Sequence, residues 1–250
     1  MKLKTLKKFL AVGVLAAATG YANAVPSFTF TEYGGFEQDV AIASYANPVG
    51  TGAPRPSTVT YSDMNWVNGF SPKSSMNLAT VTGPAGLAEG VWTTISTLTH
   101  NNIIIPLAAS WGPQDINARF IITDNDGAAS VRLDSEDAIT INFVETPNVA
   151  NCAGPNPLGS QCDDFFSFTA IGLQSLLFTA NDGSKWIAEF QLANLVNAFF
   201  DGVNTVYTAE SQSSSLDVQA RVLRVPEPGT LLLTGLALLG LGFSIRRKQA

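Results

Sequence analysis

Few side chains in this 250-residue sequence have the types and spacing that do chemistry. The single histidine, His100, stands in Leu98-Thr99-His100-Asn101-Asn102, which excludes any metal centre needing two or more imidazoles. Cys152 and Cys162 bracket a Gly- and Pro-rich stretch. In an exported chain such a pair reads as a disulfide, closing a loop of about eleven residues and worth roughly 3 kcal/mol. The competing chemistry, a thiol nucleophile paired with His100, is disfavoured because an oxidising compartment would couple two cysteines so close. Asp134-Ser135-Glu136-Asp137 and Asp163-Asp164 offer carboxylates of the kind glycosidases place across a sugar, yet solvated loop charge is the plainer assignment. Asp124-Asn125-Asp126-Gly127 suggests a calcium loop. With Gly127 in its sixth position, however, Ile122 would stand first and Leu133 twelfth, where carboxylates are required. A turn is the better reading, and structural calcium elsewhere in so acidic a body stays open. The nucleophile elbow G-x-S-x-G, the P-loop and the dinucleotide fingerprint are all absent from the sequence. No residue is therefore assigned a catalytic or metal-ligating role, and no cofactor is expected. Among the tryptophans, Trp92 and Trp186 fall inside strand-like runs and are assigned to the core. Trp66 and Trp111 lie among Asn, Gly and Pro and are the candidates for contact with a sugar ring.

The elements that must position these residues are short and β-rich. Residues 28–31, 58–61, 91–99, 118–123, 138–144, 165–180, 185–190, 205–209 and 216–223 read as strands. Asn181-Asp182-Gly183 signals a hairpin, and Asp124 to Gly127 signals a second. Only 192–200 has a briefly helical look. Many short strands punctuated by Gly, Pro and Asn predict an all-β fold, an antiparallel β-sandwich or jelly-roll-like body. It would lie between an N-terminal signal helix and a C-terminal transmembrane helix.

The two ends carry much of the basic charge. Lys2, Lys4, Lys7 and Lys8 precede an apolar run over 9–18 and then Ala22-Asn23-Ala24, the three parts of a secretory signal peptide at 1–24. Its handlers would be the Sec translocon and signal peptidase. The body, 25–225, holds seven basic and nineteen acidic residues, a net charge of −12. Nucleic acid is excluded as a partner on that balance, because its affinity depends on Lys and Arg neutralising phosphates. The C-terminal segment, 226–250, opens with Pro226-Glu227-Pro228 and closes with the basic tail Arg246-Arg247-Lys248. The 17 residues from 229 to 245 carry no charge and as a helix span roughly 25 Å, close to a hydrocarbon core of about 30 Å. The expected arrangement is a transient anchor in the inner membrane, with the basic tail cytoplasmic and the body outside. Each proline holds its predecessor, Val225 or Glu227, extended, so the motif would be a stiff, accessible strand just outside the bilayer.

This end resembles the PEP-CTERM sorting signal of Gram-negative bacteria, a Pro-Glu-Pro motif followed by a short transmembrane helix and an Arg-rich tail. The resemblance implies recognition by exosortase, a membrane-embedded processing enzyme usually encoded beside exopolysaccharide genes. Thr99-His100-Asn101-Asn102 is similar to the signature of the THxN family of PEP-CTERM proteins. Members of that family combine a signal peptide, a β-rich body of about this size and the C-terminal anchor, and they carry no established activity. At the end of a strand, His100 and Asn102 are expected to hydrogen-bond nearby groups and fix a turn. The function expected is that of an exported, non-enzymatic protein of the cell surface or extracellular matrix, linked to exopolysaccharide or biofilm. The alternatives are a polysaccharide-acting hydrolase using two of the acidic residues and a carbohydrate-binding module using Trp66 or Trp111.

Overall fold

Apolar and polar residues alternate along Phe28-Thr29-Phe30-Thr31-Glu32, the two-residue period that buries one face of a strand. Repeated along the chain, that pattern builds the whole body. The structure is a computed structural model that describes residues 26–38, 40, 43–49, 60–66, 73–81, 83–104, 110–149, 151–152, 154–168, 175–226, 229 and 233–238. Strands β1 (Phe28–Phe36), β2 (Ala43–Val49), β3 (Thr60–Trp66), β4 (Ser74–Thr80), β5 (Ala85–Leu87), β6 (Thr93–Asn101) and β7 (Trp111–Asp124) come first. They are followed by β8 (Ser130–Val144), β9 (Asp164–Phe168), β10 (Leu176–Thr179), β11 (Lys185–Val196), β12 (Ala198–Phe200), β13 (Thr205–Thr208) and β14 (Ser213–Arg224).

All fourteen strands belong to one antiparallel sheet, in the order β10-β11-β14-β6-β4-β3-β1-β7-β8-β9-β13-β12, with β2 on β3 and β5 on β1. The sheet curls on itself, so its two halves face each other as the layers of a sandwich and pack side chains between them. One core cluster joins Met64, Trp66, Met76 and Leu78 of β3 and β4 to Trp111, Ile141, Phe143 and Phe166 of β7, β8 and β9. A second joins Phe28, Phe30 and Ile122 of β1 and β7 to Ile95, Phe178, Trp186 and Val222 of β6, β10, β11 and β14. β1 sits at the fold of the sheet, and Gly35 is what lets it approach β3. A Cβ there would lie 2.7 Å from the Cβ of Thr60.

Several expectations change. The stretch 192–200 is strand, not helix: β11 runs to Val196, and β12 begins at Ala198 after a left-handed Asn197 with φ 47°. A second left-handed asparagine, Asn194, coincides with the register shift between Ala193 and Val196. The apparent helical period is thus the mark of a bulge, which moves side chains off strict alternation. The run 165–180 is divided between β9 and β10, which pair with different partners, β13 and β11. The hairpins at Asp124 to Gly127 and Asn181 to Gly183 join β7 to β8 and β10 to β11, with Gly127 and Gly183 at φ 77° and 84°.

The signal peptide expected at 1–24 lies outside the described residues, as do Glu227, Pro228, Arg246, Arg247 and Lys248. Residues 233–238 are helical and exposed. Among the described residues no helix is long and apolar enough to cross a membrane.

Candidate functional site

The most unusual chemistry lies at one end of the sandwich, where β6 runs out between β4 and β14. His100 pairs with Met76 and Ser214 across the sheet, and Thr99 with Asn77 and Ser215. The inward phase of β6 therefore carries His100 and, two residues on, Asn102, both buried. The His100 ring stacks on Trp66 with centroids 5.4 Å apart and meets Phe166 edge-on at 5.0 Å. Its Nδ1 lies 3.0 Å from the Thr208 hydroxyl, and its Nε2 is buried without a partner. Thr208 can donate onward to the Asp164 carbonyl (3.5 Å), which leaves its oxygen to accept from Nδ1–H. Burial among these rings pushes the imidazole pKa down to about 3, so the ring is neutral. His100 is thus a buried, neutral ring with its Nδ1 edge turned to β13.

Asn102 faces an acidic cluster. Its Nδ2 donates to Glu210 Oε2 at 3.2 Å and to the Ala209 carbonyl at 3.5 Å, while its Oδ1 has no partner. Glu145 follows the end of β8, Asp164 opens β9, and Glu210 lies in the turn between β13 and β14. One carboxylate oxygen from each of the three falls within 4.8 Å of the other two, and all three residues are buried. Asp164 Oδ1 accepts from the amide of Thr146 (2.7 Å) and from its hydroxyl (3.1 Å). No N–H or hydroxyl donor reaches either oxygen of Glu145, Oδ2 of Asp164 or Oε1 of Glu210, and the Glu145 and Asp164 carboxyls meet each other, an arrangement that needs a shared proton. Burial, with the neighbouring charges of Asp164 and Glu210, holds the Glu145 carboxyl well above its usual range. Burial also raises Asp164, and burial and the charge of Asp164 push Glu210 up to about 7. At an effective dielectric of about 20, each pair of ionised carboxylates at this spacing repels by at least about 3 kcal/mol. The cluster must therefore hold protons or a cation.

A loop packs over this end. Cys152 and Cys162 are joined by a disulfide, and the loop is organised by Asp163, which accepts from the amide of Leu158 (2.7 Å) and from the amide of Ser160 (3.3 Å). The Ser160 hydroxyl in turn accepts from the amide of Glu210 (2.9 Å). The Asp163-Asp164 pair is therefore split, one residue shaping the loop and the other entering the cluster. Asp134, of the other acidic run, is exposed and paired with Arg119 at 2.6 Å.

The chain leaves this body along a central strand. β14 ends at Arg224, and Pro226 follows after the single residue Val225. Residues 224–248 match the family model of the PEP-CTERM protein-sorting motif. The motif indicates an exported protein sorted by exosortase to the surface from a membrane-anchored precursor. No curated protein matches the chain.

Both tryptophans expected to meet a sugar are core residues instead. Trp66 is 1% exposed and Trp111 6%, and the two rings meet edge-on with centroids 5.2 Å apart. Asn65 beside Trp66, and the exposed Gly112 and Pro113 beside Trp111, are strand residues of β3 and β7, so local composition misplaced the rings. Neither face is available for stacking.

A second feature escaped the sequence reading. Between the two layers, in the gap between the core clusters, lies a cavity of about 170 Å³ walled by apolar side chains including Leu98, Ile116, Phe120, Phe190 and Leu216. Into this wall β1 contributes Glu32, the inward residue after Phe28 and Phe30. Ser96 hydrogen-bonds its carboxyl, Oε2 is without a partner, and burial raises its pKa to about 7. The signal was present in the strand period, which places an acid where an apolar residue belongs.

Proposed function

We propose that this protein is a non-enzymatic component of the cell surface or extracellular matrix, of the THxN group of PEP-CTERM proteins, associated with exopolysaccharide or biofilm. The observation that carries the reading is the sorting motif set directly after the last strand of a β-sandwich. The acidic body suits a hydrated extracellular setting, where like charge limits self-association. The buried state of the carboxylate cluster also supports a structural role, since glycosidase carboxylates flank an open groove with room for a sugar. Burial of Trp66 and Trp111 weighs against a carbohydrate-binding module built on those rings.

Replacing Pro226 and Pro228 together with Ala frees Val225 and Glu227 from extended geometry. The expected result is retention of a longer, membrane-bound species in its own organism; unchanged release would overturn the processing step. Incubation of the released protein with exopolysaccharide from that organism is expected to give binding without shortening of the polymer. Polymer cleavage would favour the hydrolase, and absence of binding would remove the matrix assignment.

A further inference from the structure

We propose that Glu145, Asp164, Glu210 and Asn102 form a Ca²⁺ site that ties together four strand ends beneath the disulfide loop. The first argument is spacing. Oxygens bound to one Ca²⁺ lie about 2.4 Å from it and so at most about 4.8 Å from each other. The three carboxylates meet that limit without rearrangement. The second argument is the set of oxygens left without donors. They are both oxygens of Glu145, Oδ2 of Asp164, Oε1 of Glu210 and Oδ1 of the buried Asn102. Buried acceptors are almost always satisfied, and here four of them belong to the three clustered carboxylates and a fifth to the adjoining Asn102. Asn102 is not an acid, and its buried amide reaches the cluster, with Nδ2 3.2 Å from Glu210 Oε2; turning the amide over would bring its unpaired Oδ1 to that place. No Lys or Arg pairs with these carboxylates in the hydrogen bonds or ion pairs of the described residues.

The donors are all oxygen, with neither imidazole nor thiolate, which selects a hard cation. Mg²⁺ demands a near-ideal octahedron at about 2.1 Å and gives up its water reluctantly, whereas Ca²⁺ accepts irregular sets of carboxylate and amide oxygens such as this one. An exported body also meets Ca²⁺ at the concentrations that extracellular sites bind, about 10⁻⁴–10⁻³ M. The site goes beyond the sorting function and gives the asparagine of Thr99-His100-Asn101-Asn102 a chemical task, with His100 two residues before it on the same inward phase of β6.

The test uses the full chain in detergent, freed of metal with EDTA, and CaCl₂ as the probe. Calorimetric titration is expected to show one Ca²⁺ bound per chain. Tenfold saturating Ca²⁺ should raise the melting temperature by about 3–6 °C, and equal Mg²⁺ should leave it nearly unchanged. Glu145→Gln puts a neutral amide where the metal-free cluster holds a protonated carboxyl, and takes away the negative charge that would meet Ca²⁺, so in EDTA this variant should melt no lower than the parent. It should bind Ca²⁺ at least tenfold more weakly and lose most of the thermal shift. Glu189→Gln, which alters a half-buried carboxylate paired with Arg221, is the control and should keep both. Absence of stoichiometric binding at 5 mM CaCl₂, or a shift that persists in Glu145→Gln, would overturn the proposal. In that event the cluster is held by protons alone, and the sorting assignment is untouched.

Discussion

Glu32→Gln replaces the cavity's carboxyl with a neutral group of the same shape, and its effect should depend on pH. The folded protein holds Glu32 at about 7 against an ordinary 4.5, so between those values the native state binds more protons than the unfolded chain. Stability contributed by this group therefore falls as pH rises from 4.5 through 7 and stays low above. At about 1.36 kcal/mol per pH unit the full penalty is about 3 kcal/mol. The amide carries no charge to desolvate and pays none of it. At pH 5 the two proteins should melt within about 2 °C of each other. At pH 8 the variant should melt about 6–12 °C higher, using 2–4 °C per kcal/mol for a domain of this size. Near-ultraviolet circular dichroism of parent and variant, full-length in detergent, at both pH values is the assay. The difference between proteins matters more than either curve, because Glu210 and His100 titrate identically in both. Equal melting at pH 8, or the same gap at pH 5 and pH 8, would refute the claim that Glu32 is desolvated by the apolar wall.

Two further substitutions probe the strand-end site. His100→Ala deletes a ring stacked between Trp66 and Phe166 and should cost about 3 kcal/mol, lowering the denaturant midpoint in urea unfolding. Because the native ring resists protonation to about pH 3, its contribution is lost as pH falls below about 6.5, so the variant should also show a shallower acid decline than the parent. Cys152→Ser with Cys162→Ser opens the loop over the acidic cluster and should cost about 3 kcal/mol of stability by the loop-closure argument; reduction of the parent with dithiothreitol should lower its melting temperature to match.

How much of this was legible in the residues differs from element to element. The strand at 28–31, the Asn181-Asp182-Gly183 hairpin and the all-β class follow from period and turn chemistry, which act over a few residues. The helical look of 192–200 failed for a local reason too, since left-handed Asn194 and Asn197 rephase the side chains. Trp66 and Trp111 failed for a non-local one. Asn65, Gly112 and Pro113 beside them have turn-forming types yet lie in β3 and β7, and whether a ring at the end of a strand points into the core is settled by the layer that closes over it.

The site shows the same division. His100, Asn102, Glu145, Asp164, Glu210 and Glu32 are all buried, and each continues the inward phase of its strand, as Glu145 does after Ile141 and Phe143. A polar residue on that phase could be found by reading each strand one step further. Local pattern therefore determined which face each acid takes, and Pro226-Glu227-Pro228 with its apolar run and basic tail marked an exported, sorted chain. Sequence separation hides the rest. Asn102 and Glu210 are 108 residues apart, and only the curling of the sheet, which brings the ends of β6, β8, β9 and β13 to one edge, turns isolated inward acids into a cluster with its own electrostatics.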